Sequence, residues 1–170
     1  GLTSLIRVAN WLSPWLVFVF ISVPSTLVLV FLTPPFQVPD EQQHFYRAYQ
    51  IGELRLVGTV GEGGGGAVLP SSLPDLVEHF LGSRRMHPER EIRTAPLAKS
   101  WLELERPLTP ARREFVSFGT VNYPPFAYLP QATAMGIGRM LEAPPLALLY
   151  LGRLANALVA IVLIAWALRW

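Results

Sequence analysis

The stretch WLSPWLVFVFISVPSTLVLVFL, residues 11–32, runs for 22 residues without a charge, and within eight residues it is followed by Pro39-Asp40-Glu41-Gln42-Gln43-His44. At a rise of ~1.5 Å per residue such a run crosses a hydrocarbon core of ~30 Å. Pro14 and Pro24 interrupt it; membrane helices tolerate proline where a soluble helix would break. The run is longer than a signal-peptide core and no small-residue cleavage site follows it, so it reads as an uncleaved anchor. Two carboxylates and an imidazole just past the mouth of a span are costly to bury there, which points to chemistry at a membrane surface.

A second apolar run, residues 143–168, contains a single charge, Arg153. Its core at 146–168 reads as a second transmembrane helix. Trp11 and Trp15 mark one end of the first run, and Trp166 and Trp170 the end of the second. Indole rings favour the interfacial layer, where the ring is apolar and its N–H stays wet. Arg7 precedes the first span and Arg169 closes the second. By the positive-inside rule, residues 1–10 and the chain end are then cytoplasmic, and the large insert lies outside. The chain opens at Gly1 and stops at the edge of a span at Trp170. Two helices make a poor bundle in lipid, so the expectation is a piece of a longer multi-pass protein whose further C-terminal helices are missing.

Between these runs the insert at residues 33–145 holds 11 basic and 12 acidic residues. That near-neutrality excludes a nucleic-acid footprint. No cysteine is present, which excludes disulfides and thiolate metal sites. Residues 33–125 read as an exterior loop with two short helices. The first, 40–51, opens at Pro39-Asp40 and closes at Gly52. The second, 74–81, places Leu76, Val77, Phe80 and Leu81 on one stripe and could rest on the bilayer. Gly61-Glu62-Gly63-Gly64-Gly65-Gly66 reads as a flexible linker; it lacks the Gly-Lys-Ser/Thr ending of a phosphate loop. Asn122-Tyr123-Pro124-Pro125 is a stiff elbow, since both prolines fix φ and push the preceding residue towards extended geometry. Residues 126–142 read as a juxtamembrane or re-entrant helix. The fold class is therefore mainly α and integral to a membrane.

Four residues stand out as candidate site residues. On a helix, His44 neighbours both Asp40 and Glu41. A carboxylate at the edge of a low-dielectric slab can serve as general base. Asp40 and Glu41 are equally oxygen ligands for a divalent cation, magnesium or manganese. The competing structural reading is a helix start: Asp40 followed by Gln43 resembles a capping box, and an acidic first turn suits the helix dipole. Arg153, about one turn into a span, could meet a phosphate bidentately or snorkel to the interface. His79 and His87 read as surface residues, and Arg84-Arg85 and Arg112-Arg113 as solvated loop rather than lipid-phosphate contacts.

Taken together, Val38-Pro39-Asp40-Glu41-Gln42-Gln43-His44, Tyr123-Pro124-Pro125-Phe126-Ala127-Tyr128-Leu129, Gly136-Ile137-Gly138 and Arg153 form a pattern that resembles the N-terminal module of type C (GT-C) glycosyltransferases. Within that superfamily the pattern is similar to predicted bacterial membrane proteins of unknown function. The resemblance covers the order of elements over nearly the whole chain. It implies a fragment of a larger helical bundle in the bacterial inner (plasma) membrane, with a polyprenyl-phosphate-linked sugar and membrane lipid as partners. It implies that Asp40, with Glu41 as partner, acts as base on the acceptor or helps bind a divalent metal. It further implies that Tyr123 and Arg153 line the lipid-linked sugar's pocket, with His44 in support. The alternative is a non-catalytic membrane protein for cell-envelope polysaccharide assembly, export or lipid-carrier handling.

Overall fold

A computed structural model describes residues 13–86 and 102–170. The flank with Arg7 and Trp11 and the segment with His87 lie outside the described residues, as do the side chains of Arg84 and Arg85. Among the described residues the chain is mainly α. Helix α1 spans Pro14–Leu32, α2 Glu41–Gly52, α3 Ser72–Met86, α4 Leu129–Met140 and α5 Pro145–Arg169. Strands β1 (Thr59–Gly61), β2 (Gly64–Pro70) and β3 (Arg113–Ser117) form one antiparallel sheet in the order β1-β2-β3.

Helices α1 and α5 are long and apolar enough to cross a membrane. No residue of α1 is buried within the chain. A helix that is apolar all round yet uncovered by protein suits lipid and little else. The two run antiparallel. Phe31 stacks on Tyr150 at 5.4 Å between ring centroids, and near the other end Arg169 lies 5.9 Å from the Trp15 ring. Pro24 sits inside α1 without ending it.

This pairing sets the end of α1 level with Arg153, eight residues into α5. The first two turns of α5 therefore rise beyond α1, and they carry all of its buried residues: Pro145, Leu146, Leu148, Leu149 and Gly152. They belong to the core of a polar head. From Arg153 to Arg169 the helix covers about 24 Å at the helical rise, close to the ~30 Å hydrocarbon thickness.

The head is built around α2. Every residue from Phe45 to Ile51 is buried, so this helix is enclosed on all sides instead of lying on a surface. Phe36, in the connection from α1, reaches into the same core against Phe45 (5.7 Å) and Phe80 (6.2 Å). It does so with φ of 59°, an uncommon backbone state for a bulky residue. Helix α3 extends further than 74–81, and Leu73, Leu76, Val77 and Leu81 point into this core, so the apolar stripe is covered by protein and not by bilayer.

Two other expectations change. The glycine-rich stretch is a hairpin, with Gly61 opposite Gly64 and Gly66 opposite Ser117. The Phe115 ring explains the glycines: a Cβ on Gly61 would come within 2.7 Å of it, and one on Gly66 would meet both that ring and the Val116 carbonyl. An aromatic ring laid over cross-strand glycines turns a flexible composition into an ordered ladder. The region 126–142 divides into a 3₁₀ turn at Pro125–Tyr128 and α4. Helix α4 then packs antiparallel against the first turns of α5.

Candidate functional site

Arg153 and Glu41 meet directly. Arg153 Nε donates to Glu41 Oε1 at 2.7 Å and Nη2 to Oε2 at 2.8 Å. The remaining donors go to the end of α1: Nη1 to the carbonyls of Val30 (3.0 Å) and Thr33 (2.7 Å), Nη2 to that of Pro34 (3.1 Å). All five N–H groups of the guanidinium are thus used. Terminal helix carbonyls lack intrahelical partners and carry the negative end of the helix dipole, so a guanidinium is well matched to them. The second oxygen of Glu41 also accepts the Phe36 N–H at 2.7 Å, which holds the tight loop between α1 and α2. This cluster is a clasp: one ion pair ties α1, α5, α2 and the connecting loop.

Asp40 is in a different position. It is exposed and takes a left-handed conformation, φ 58°. Its side chain does not cap the helix; only its backbone carbonyl accepts from Gln43 and His44. The capping-box expectation fails because Gln43 bridges elsewhere. Gln43 Nε2 donates to Asp40 Oδ1 at 2.7 Å while its Oε1 accepts the Gly119 N–H at 2.8 Å. The Gln43 side chain therefore tethers the Asp40 carboxylate to the turn that precedes the proline elbow.

His44 pairs with Tyr128. Its Nδ1 shares a 2.8 Å hydrogen bond with the Tyr128 hydroxyl, and the two rings stack at 5.8 Å. Burial pushes the Tyr128 hydroxyl above the ordinary tyrosine value, which keeps it protonated at neutral pH. Tyr123 is half exposed, with its ring centroid 6.1 Å from that of His44.

A cavity of about 300 Å³ opens between the α1–α2 connection, α2, α4 and α5. Val38, Pro39, Glu41, His44, Arg153 and Asn156 contribute to its wall. Of the five sequence-derived residues, Glu41, His44 and Arg153 line it. Asp40 falls in sequence between the lining residues Pro39 and Glu41, but neither it nor Tyr123 is part of the lining. The cavity stands at the level where α1 ends, and Asn156 carries it one turn further down α5.

Sequence reasoning overlooked Arg47. It is 2% exposed, yet donates only to neutral groups: Gln50 Oε1 (2.6 Å), the Leu56 carbonyl (3.0 Å) and the Tyr123 carbonyl (2.8 Å). Burial lowers its affinity for a proton, although a guanidinium remains charged at neutral pH. The clue was the elbow itself. Two successive prolines supply no N–H, so the carbonyls around them need a side-chain donor. Arg113, read as solvated loop, instead forms a bidentate pair with Glu53 at 2.8 and 2.6 Å, and this pairing raises its proton affinity.

A divalent cation fits these residues poorly. Both Glu41 oxygens are engaged by N–H donors, and among the described residues no three His, Cys, Asp or Glu side chains converge on one point. Asp40 is the one carboxylate of the pair left open to a cation, and a magnesium ion held through a single carboxylate needs substrate phosphates to complete its shell.

Comparison with known proteins gives one family. The family described as predicted membrane protein (DUF2142) matches residues 23–170, and the chain belongs to it. Neither the curated proteins nor the solved structures contain a significant match.

Proposed function

We propose that this member of a membrane-protein family forms the N-terminal module of a membrane glycosyltransferase. The sugar would come from a polyprenyl-phosphate donor and pass to an envelope glycan, lipid or protein. The observation that carries this reading is the cavity at the level where α1 ends, with the exposed Asp40 next in sequence to its lining residues Pro39 and Glu41. A lipid-linked donor needs a site whose floor meets the bilayer and whose mouth meets water. Asn156 on the span side of Arg153, and the exposed Asp40 on the head side, fit that requirement.

In this reading Asp40 accepts the proton of the acceptor hydroxyl as its oxygen attacks the anomeric carbon. The glycosidic electron pair leaves with the polyprenyl phosphate. His44, fixed at Nδ1 by Tyr128, has its other ring nitrogen for a substrate hydroxyl or phosphate oxygen, and Tyr123 at the elbow offers a ring against a sugar face. Glu41 and Arg153 act by holding the wall, since their charges satisfy each other. A divalent cation finds no ligand set among the described residues, so this reading runs through Asp40 as base alone.

The mutual saturation of Glu41 and Arg153 favours a second reading, a non-catalytic protein of envelope polysaccharide assembly or export, because it removes the most obvious phosphate ligand. Asp40→Asn in the intact protein separates the two. Asparagine keeps the oxygen that Gln43 grips, so expression and thermal stability should be unchanged. Transfer of labelled sugar from the polyprenyl-phosphate pool in isolated membranes should fall by at least ~10²-fold, the lower range of general-base contributions. Wild-type transfer in this variant would eliminate Asp40 as the base.

A further inference from the structure

At the end of α2 remote from the cavity, buried hydrogen-bond donors gather without acceptors. Tyr49 is 1% exposed, and its hydroxyl meets no partner among the described residues. The Nε–H groups of Arg113 and Arg139 are buried and unpartnered in the same way. A buried donor left unpaired keeps its full desolvation penalty, so three of them at one place call for an acceptor.

Local geometry brings the three together. Glu53 follows Tyr49 by four residues and shares its helix face. Both oxygens of Glu53 are held by Arg113, at 2.8 and 2.6 Å, and Arg55 Nε approaches the same carboxylate at 3.7 Å. Helix α4 closes the other side. It runs in the direction of α2, since His44 meets Tyr128 near the start of both and Gly52 meets Gly136 near their ends. Arg139 stands one turn past Gly136 on the same face, level with the end of α2. The charges that act on the Tyr49 hydroxyl are accordingly Glu53, Arg139, Arg113 and Arg55. Three guanidiniums against one carboxylate leave two positive charges in excess. Burial, with Glu53 in support, pushes the hydroxyl up to about 12. At neutral pH it therefore donates and adds no negative charge.

We infer that Tyr49, Arg113 and Arg139, with Arg55 on the exposed side, form a site for a phosphate-class oxyanion carried by a water-soluble molecule. Sign, valence and donor type agree. A phosphate group carries close to two negative charges at neutral pH and presents strong acceptor oxygens, which suit guanidinium N–H and phenol O–H donors. The side chains of Arg55 and Arg113 are 53% and 22% exposed, so solvent reaches the guanidiniums while the hydroxyl lies behind them. Height sets the source of the ligand. Glu41, at the start of α2, is bonded to Arg153 where α1 ends. Gly52 is eleven residues further, roughly 16 Å along the helix axis, which is beyond a headgroup layer of roughly 5–7 Å. The site is also separate from the cavity and needs none of the chemistry proposed there.

Equilibrium binding of labelled inorganic phosphate to the intact protein in a non-ionic detergent tests this. Saturable binding is expected, weakened by about tenfold in Tyr49→Phe and by more in Arg139→Gln, because hydrogen bonds to a charged group are among the stronger ones. Tyr49→Phe keeps the ring and removes only the unpaired donor. In phosphate-free buffer it should melt no lower than wild type, and added phosphate should raise the wild-type melting temperature well above that of the variant. A lower melting temperature of Tyr49→Phe without phosphate would show that the hydroxyl already has an acceptor, a water or a carboxylate of the chain itself, and would overturn the inference. No saturable binding would overturn it too, as would binding that both variants leave unchanged, the mark of an adventitious ion only. Stabilisation seen only in vesicles containing phosphatidic acid would put a lipid headgroup in the site and refute the assignment to a soluble ligand.

Discussion

At the scale of single residues, the chemistry turns on which charges are already committed. Asp40 and Glu41 are adjacent in sequence and opposite in circumstance. Asp40 meets one neutral amide, whereas Glu41 meets a guanidinium and a backbone N–H. The side chains of Arg153 and Glu41 are only 12% and 14% exposed, so the pair is largely withdrawn from solvent. Removing one member of such a pair strands the other, at ~3 kcal/mol or more. Arg153→Ala should therefore destabilise the protein by about that amount in thermal unfolding in detergent. Lysine should restore only part of the loss, since it has three donors on a point charge where the site has five acceptor contacts. The informative variant is the exchange Glu41→Arg with Arg153→Glu. A plain ion pair would survive inversion. Here a carboxylate at position 153 would confront the carbonyls of Val30, Thr33 and Pro34, so the double variant should melt no higher than Arg153→Ala. Recovery to wild-type stability would show that helix capping contributes nothing.

At the scale of elements, α2 and α4 cross by backbone contact. A Cβ on Gly52 would stand 2.8 Å from the Ala132 carbonyl, and one on Gly136 3.2 Å from the Gly52 carbonyl. Backbone cannot yield as a flexible side chain can, so Gly52→Ala should push the helices apart and cost ~1–3 kcal/mol, the usual range for overpacking. Gly136→Ala should cost less, and thermal melts of the two variants check the order. A larger loss at Gly136 would mean that the crossing point lies elsewhere. Sequence showed part of this architecture and hid the rest for identifiable reasons. The spans at α1 and α5 were legible because an uncharged run of that length suits a membrane helix and few soluble elements. The start of α2 was legible from Pro39-Asp40. The hairpin was not, because glycine composition records freedom, whereas the order comes from Phe115, some fifty residues away in sequence. The same limit hid the ion pair. Glu41 and Arg153 were each conspicuous, but their separation of 112 residues left no local pattern to join them. Arg47 was invisible because its i,i+4 neighbours gave no sign that α2 would be enclosed on every side.

At the scale of the whole molecule, the head is anchored to both spans through one layer of contacts at the height of Arg153, and the orientation of that layer decides which compartment the cavity serves. The side is fixed by few charges: Arg7 before the first span and Arg169 at the end of the second, against an insert that is nearly neutral. Long loops are largely exempt from the positive-inside rule, so these short flanks carry the bias. By that rule the expected arrangement has both flanks in the cytoplasm and the head outside. The hairpin tip is a suitable reporter, since Glu62 is exposed and lies in the turn between β1 and β2. A cysteine there should react with a membrane-impermeant maleimide in intact cells without permeabilisation. A second cysteine replacing Trp170, at the far end of α5, should react only after the membrane is opened. The reverse pattern would put Asp40 and the cavity on the cytoplasmic face. A base poised there would meet cytoplasmic acceptors and donors, and the envelope-facing transfer proposed above would fail on topology before any residue was tested. Reaction at Glu62 from outside and at Trp170 from inside leaves the cavity open to the exterior leaflet, where Asp40→Asn is the next measurement.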